Sequence, residues 1–324
     1  MSDNLPQFYN LTPDLVMAGV EAAGFNPTGE YLQLNSYENR VFDIRLEKGG
    51  LRERVIVKFY RPQRWSRTAI LEEHFFLEEL QLSGIPVIAP LIQKNQQTLS
   101  TLNGIHLAAF PKALGRMPQE MSLDDLKKIG RVLASLHNVG EQQSARNRPI
   151  LNVETFGWPA LELLRHYVAP EVWDRYEKAA LQILQYLEDE LEQENILRIH
   201  GDCHRGNLLQ QDSRDGERGF FMVDFDDFCN GPVAQDFWML LSGDKETLSE
   251  ERDALMSGYE DLRHFPTSQE RLFMPLRGLR IIHYAAWIAR RWSDPSFPQL
   301  FPNFESYSYW AEETEALERI AWSL

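Results

Sequence analysis

At Pro111 the period of the hydrophobic pattern changes, and that change limits the chain to folds that separate a small sheet from a largely helical body. Before Pro111 the period is two. In "ENRVFDIRL" Phe42, Ile44 and Leu46 alternate with Val41, Asp43 and Arg45, and in "RVIVKFY" Val55, Val57 and Phe59 alternate with Ile56, Lys58 and Tyr60. Residues 34–60 are therefore read as strands joined by a turn at "EKGG". From Ser66 to Leu82 the spacing of Ile70, Glu73, Leu77 and Leu80 predicts a helix with all four on one face, which places a charge in its apolar stripe. "IPVIAPLI" is read as extended, and Asn103-Gly104 between two apolar runs predicts a β-hairpin whose second strand stops at Pro111.

Beyond "FPKALGRMP" the period is helical. Ser122 is placed to cap a helix that buries Leu126, Ile129, Val132, Leu133 and Leu136, and a longer helix is expected from about Pro170 to Glu194. "ILRI" reads as a short strand, and "NLLQ" and "FFMVDF" as a second hairpin around the polar loop "DSRDGERG". "VAQDFWMLL" and residues 269–291 are again helical in pattern. A chain of 324 residues is longer than one hydrophobic core usually serves. Two lobes are expected, residues 1–111 and 112–324, with a hinge at about 110–116.

Composition narrows the function classes. No apolar run approaches the roughly 18 residues of a membrane span, the opening "MSDNLPQFYN" has no basic stretch or apolar core of a leader, and two cysteines make no disulfide framework. A cytoplasmic protein without a membrane partner is expected. Against 33 Lys and Arg stand 48 Asp and Glu, a formal charge of -15. Such a field opposes nucleic acid. It also opposes ATP unless cations are gathered locally, and it attracts cationic small molecules or basic peptides.

Chemistry concentrates in "HGDCHRGN", residues 200–207, and in "VDFDD", residues 223–227. His200, Cys203, His204 and Cys229 are acceptable zinc ligands, but the i, i+3, i+4 spacing suits a helix rather than a loop between strands, and it leaves the acids and the amide unused. Hard oxygen ligands use them better. Asn207 and Asp224 suit Mg²⁺, which takes few protein ligands and fills its shell with water and phosphate oxygens. Asp202 is then free to orient a hydroxyl and accept its proton, the division that phosphoryl transfer requires.

"HGDCHRGN" followed by "VDFDD" resembles the catalytic loop and metal-binding segment of the aminoglycoside phosphotransferase and choline kinase group, relatives of the protein kinases. The resemblance implies an α+β, bilobal, protein-kinase-like fold with a small β-rich N-lobe and a larger, mainly helical C-lobe. It further implies a strand lysine on the α/β phosphates of ATP, for which Lys58 stands in "VIVKF", and an inward helix carboxylate paired with it, for which Glu73 stands on the apolar face of its helix. "LNSYENRVF" lacks the glycines of a protein kinase phosphate loop, so Ser36 and nearby backbone N–H groups take that place. His200, His204 and Asp236 are supporting positions: Asp236 either bonds the catalytic-loop backbone or serves as a first-turn acid, and His204 or Arg205 can face the transferring group. Asp226 and Asp227 are read as local structure or substrate-lobe acids, not as metal ligands.

Across almost the whole chain "LNSYENRVF", "VIVKFYRPQRW", "ILEEH", "RIHGDCHRGN" and "GPVAQDFWMLLSGDK" resemble the bacterial stress response kinase A family. That resemblance implies an ATP- and Mg²⁺-dependent Ser/Thr protein kinase that also phosphorylates itself, with a role in envelope or oxidative stress; a monomer is expected, though the sequence does not specify oligomeric state. The residues alone specify only a phosphotransferase. A kinase for a hydroxyl-bearing amine is the alternative, with Arg277, Arg280, Tyr284, Trp287 and Arg291 lining its acceptor cleft or simply forming an amphipathic surface helix. A nucleotide-binding scaffold without turnover is the third reading, and the presence of Lys58, Asp202, Asn207 and Asp224 together weighs against it.

Overall fold

The computed structural model describes residues 5–50, 52–212, 218–241 and 247–324. Residues 213–217 of the expected polar loop and residues 242–246 after "WMLL" lie outside that range. In chain order the elements are α1 (Leu5–Tyr9), α2 (Pro13–Ala22), β1 (Pro27–Leu34), β2 (Arg40–Leu46), β3 (Arg54–Phe59), α3 (Arg67–Leu82), β4 (Ser100–Leu102) and β5 (Ile105–Pro111). There follow α4 (Leu123–Gly140), α5 (Val153–Phe156), α6 (Trp158–Leu164), α7 (Pro170–Leu191), β6 (Leu197–Ile199), β7 (Leu208–Asp212) and β8 (Arg218–Met222). Last come β9 (Cys229–Gly231), α8 (Ala234–Leu240), α9 (Thr247–Glu260), α10 (Phe273–Arg290), α11 (Phe297–Leu300) and α12 (Tyr307–Ala321). These form two compact units, residues 1–120 with 206–226, and residues 121–205 with 227–324.

The first unit is built on an antiparallel sheet of order β1-β2-β3-β5-β4. Its register explains the alternation in the sequence. Phe42 pairs with Val57 and Ile44 with Val55, and these side chains share one face with Phe59, Leu107 and Ala109, packed on Phe8, Val16 and Val20 of the N-terminal helices. Full burial of such side chains is worth about 1.5–3 kcal/mol each, which fixes the register, since a one-residue slip would turn them out. The other face carries Val41, Asp43, Ile56 and Lys58.

Both hairpins and the cap at Ser122 take the expected form. Asn103 and Gly104 have φ of 49° and 79°, the two positive values of a type I′ turn. The Ser122 side chain accepts from the Asp125 N–H while the Asp125 carboxylate accepts from the Ser122 N–H. Other expectations shift. The long helix ends at Leu191, Val132 is only half-buried, and the second hairpin stops at Met222, before "VDFDD". Residues 5–33 hold α1, α2 and β1, which periodicity did not announce: α1 has five residues, and β1 is an edge strand exposed along most of its length.

In the second unit α4 packs on α9, α7 on α12, and α10 against α6, α7 and α12. The α4–α9 crossing is close because two glycines face it. A Cβ on Gly130 would lie 2.2 Å from the Leu255 carbonyl oxygen, and one on Gly258 would lie 1.9 Å from that of Lys127. Backbone cannot yield as a flexible side chain can. Gly258→Ala is therefore expected to cost about 1–3 kcal/mol, read as a lowered thermal midpoint, and an unchanged midpoint would contradict this packing.

Candidate active site

In the first unit the site is organised around one buried amine. Lys58, one residue before the end of β3, points away from the Val55, Val57 and Phe59 core, opposite the small Ala108 of β5, which leaves room for its stem. An isolated buried ammonium is costly. Here Lys58 Nζ lies 2.9 Å from Asp226 Oδ1, 3.3 Å from Asp224 Oδ1 and 3.6 Å from Glu73 Oε1. Burial pulls the Lys58 pKa down, but Asp226, Glu73 and Asp224 outweigh it and hold the amine protonated well above the ordinary lysine value.

Each carboxylate arrives by a different route. Glu73 comes from the apolar face of α3, which starts at a Ser66 cap and also buries Ile70, Leu77 and Leu80. Asp224 follows β8 with φ of +62°, a left-handed backbone uncommon outside glycine and tolerated best by Asp and Asn. Phe225 next to it packs edge-on against Phe76 of α3, so one helix positions both Glu73 and the Asp224 segment. Antiparallel pairing of β7 with β8 continues one step into a Val223 N–H bond to the Asn207 carbonyl at 3.0 Å, which brings Asn207 to the strand end beside Asp224.

Of the two alternatives for Asp226, local structure or a substrate-lobe acid, the structure shows the first: it lies in the first unit, is 3% exposed, is the carboxylate nearest Lys58, and also receives Arg64 and, at 3.2 Å, the Asn39 amide. Arg64 and Arg61 both reach Glu38, and the Arg61 guanidinium lies 5.2 Å from the centre of the Phe8 ring. A chain of charge pairs thus runs from α1 to the lysine. The doubled acid in "VDFDD" was the available sign, but sequence gives no means of telling which of Asp226 and Asp227 turns inward.

Lys58, Glu73 and Asp224 line a cavity of about 580 Å³ on the open face of the sheet, with Ser36 and Asn207 also on its wall and Leu34, Val41, Ile56, Leu77 and Phe110 as its apolar surface. Asn207 and Asp224 supply hard oxygen donors at one end, and the Asp224 side chain is about half exposed. A few convergent polar groups in a largely apolar hollow is the usual form of a small-molecule site.

In the second unit, residues 200–205 form a loop held from behind by Asp236. Its buried carboxylate accepts the backbone N–H groups of His200 and Gly201, both at 2.8 Å, and faces His137 Nε2 at 3.1 Å. Gly201 has φ of +81°, and a Cβ there would lie 2.4 Å from the Asp227 carbonyl oxygen, so the turn requires glycine. His200 Nδ1 accepts from the Asp202 N–H at 3.3 Å. The Asp202 carboxylate meets Arg280 Nη2 at 2.8 Å and His204 Nε2 at 3.5 Å. Burial raises its pKa, yet Arg280 and then His204 lower it further, so the group stays ionised far below the usual carboxylate range.

Arg205 turns elsewhere, to the Leu240 carbonyl at 3.2 Å and Glu251 at 2.8 Å, leaving His204 as the loop side chain beside Asp202. Cys203 and Cys229 are buried free thiols whose pKa values burial pushes up, the reverse of a reactive or zinc-ready thiolate. α10 is amphipathic: Leu276, Leu279, Ile282, Ala285 and Ala286 are buried while Met274, Arg277 and Arg290 are exposed, and Arg280 was the part of the site that sequence placed only within an alternative.

Comparison with known proteins agrees with this arrangement. The pattern that defines the family described as "Phosphotransferase enzyme family" matches residues 30–271, and the chain belongs to that family. It is similar to Stress response kinase A of Escherichia coli (strain K12), 35% identical over 97% of this chain and 94% of the relative. The Serine/threonine protein kinase RdoA of Salmonella typhimurium (strain LT2) is 36% identical over the same shares. Among solved structures, the amicoumacin kinase hAmiN in complex with AMP-PNP and Ca²⁺ superposes with a TM-score of 0.76 at 18% identity, covering 96% of this chain and 93% of that one. A microcompartment-associated aminopropanol kinase does so with a TM-score of 0.74 at 21% identity, covering 96% and 98%. The fold is thus of the aminoglycoside phosphotransferase, kinase-like type, and the chain is a kinase.

A buried neutral histidine makes the first unit acid-sensitive. His74 bonds the Tyr60 hydroxyl at 2.9 Å and Thr98 at 2.7 Å, and burial, then Lys58, push its pKa down to about 3. Below the unfolded value of about 6.5 the unfolded chain takes up a proton that folded His74 refuses. Its stabilisation is present above pH 6.5 and drains as pH falls toward 3, at up to about 1.4 kcal/mol per pH unit. Urea unfolding between pH 7 and 5 should show this slope and a shallower one for His74→Gln; equal slopes would remove His74 as the cause.

Proposed function

We propose that this kinase is an ATP- and Mg²⁺-dependent Ser/Thr protein kinase, cytoplasmic and monomeric, which also phosphorylates itself and serves the envelope or oxidative stress response. The observation that carries the reading is the buried Lys58 amine, ringed by Asp226, Asp224 and Glu73 on the wall of a cavity large enough for a nucleotide. In this reading residues 1–111 form the nucleotide-binding lobe, residues 112–324 the catalytic and acceptor lobe, and residues 110–116 the hinge. Lys58 binds the α/β phosphates, with Glu73 keeping it oriented, and Ser36 with neighbouring N–H groups cradles the phosphate tail.

The donor set fits magnesium: the Asn207 amide oxygen and the Asp224 carboxylate leave the other positions to water and phosphate oxygens. When bound, the ion offsets phosphate charge that a chain of net charge -15 otherwise opposes. Asp202, five residues before Asn207 in sequence, orients the acceptor hydroxyl and takes its proton. Its low pKa suits a group that aims the hydroxyl and accepts the proton late in transfer. Asp236 and His200 keep the loop in shape, and the His204 ring faces Asp202.

A protein acceptor is supported by the name of the Salmonella relative. The solved neighbours, named for amicoumacin and aminopropanol, support a small amine-bearing alcohol instead. Radiolabelled ATP with Mg²⁺ separates the two: label in the protein itself or in a protein substrate supports the first reading, and label only in an amino alcohol overturns it. No helix among the described residues is long and apolar enough to cross a membrane. Asp202→Ala is expected to keep Mg-ATP affinity while transfer falls about 10²–10⁴-fold. Asp224→Ala should weaken Mg-ATP by about tenfold or more, measured by calorimetry, and an unchanged affinity would remove Asp224 from the metal site.

A further inference from the structure

Next to Asp202 the second unit carries a cationic track that the overall charge of the chain conceals. Arg277, Arg280 and Tyr284 sit at i, i+3 and i+7 of α10 and so share a face. Two adjoining concavities of about 390 and 480 Å³ share Arg277 and Ile281. The first is walled by His204, Trp238, Arg280, Tyr284 and Glu313, and the second continues to Arg319 and Trp322 of the C-terminal segment.

The charges are not equivalent. Arg280 is held by Asp202 at 2.8 Å and lies 5.4 Å from the centre of the Tyr284 ring, so its charge is largely spent on the proposed base. Arg319 meets Glu315 at 3.9 Å, with both side chains mostly exposed, a pairing worth little in water. Arg277 is exposed and has no ion pair or hydrogen bond among the described residues. Among the described residues Glu313 is the one carboxylate on these walls, and burial, then its neighbour Glu312, raise its pKa to about 7. Around neutral pH the track is therefore net positive, and a protonated Glu313 can donate a hydrogen bond to an anion.

We propose that this track recognises an extended peptide acceptor, and that it takes acidic side chains flanking the Ser or Thr whose hydroxyl reaches Asp202. The inference rests on the kinase reading above and names its substrate class. Continuity over two concavities favours a peptide over a compact amino alcohol. The free guanidinium opposes an ammonium group, whatever the net charge of the whole chain favours. A charge-assisted pair between Arg277 and a carboxylate gives discrimination against the neutral isostere.

Three serine peptides identical except for Glu, Gln or Lys at the flanking positions test it, with kcat/KM measured for the wild-type chain, Arg277→Glu and Arg319→Glu. The wild type is expected to favour the Glu peptide over the Gln peptide by about tenfold. Arg277→Glu should reverse the order toward Lys. Arg319→Glu, at the solvent-exposed far end where misfolding is least expected, should reduce the Glu preference. Glu313→Gln should preserve that preference at pH 8, where the wild type loses part of it as Glu313 ionises. Equal rates for the three peptides, a wild-type preference for Lys, or self-labelling with none of the peptides phosphorylated would each overturn this inference and leave the kinase reading standing. Absence of all protein labelling, self-labelling included, would overturn both.

Discussion

A primary amine cannot be left charged in a protein interior without carboxylates around it, and in the first unit that requirement at Lys58 organises everything nearby. The strand that carries Lys58 buries Val55, Val57 and Phe59 on its other side, so the amine is delivered to one face by the same register that forms the core. Three acids then have to converge from α3 and from the segment after β8. Desolvation of so many charges is expensive, and removing any one partner from such a set generally costs more than the set contributes. What the arrangement provides is orientation: a fixed cation at the edge of a cavity lined by Asn207 and Asp224.

The second unit meets the converse problem with a carboxylate. Asp202 is mostly buried, and its charge is balanced by Arg280 from α10, with His204 of its own loop alongside. The loop is shaped from behind by Asp236, which receives two backbone N–H groups that would otherwise lie unsatisfied in the interior. The left-handed backbone of Gly201 is provided for by residue type, and that of Asp224 is held by the contact of Phe225 with Phe76. Unusual conformations next to functional groups persist only where surrounding packing imposes them.

Net charge and local charge point in opposite directions here. A total of -15 says that the surface as a whole repels anions, yet the concavities beside Asp202 gather Arg277, Arg280 and His204 around one partly neutral acid. Fields at short range are set by the few groups within several ångströms, because water and salt screen the rest. Family membership fixes the fold and the class of chemistry, while the acceptor is selected by such local walls.

The alternation around Lys58, the helical face bearing Glu73, the Asn103-Gly104 turn and the Ser122 cap were legible because each is a local rule, set by the geometry of a strand, a helix or a turn. The pairing of "HGDCHRGN" with "VDFDD" was legible because loop chemistry needs particular residue types at short spacing. An exposed edge strand at residues 27–34 and a five-residue helix left no period to read. Which of two adjacent acids faces Lys58, where Arg205 points, and that Arg280 reaches Asp202 across 78 positions were decided only by tertiary structure. Contacts between distant segments depend on how whole elements pack, and no local pattern encodes that packing.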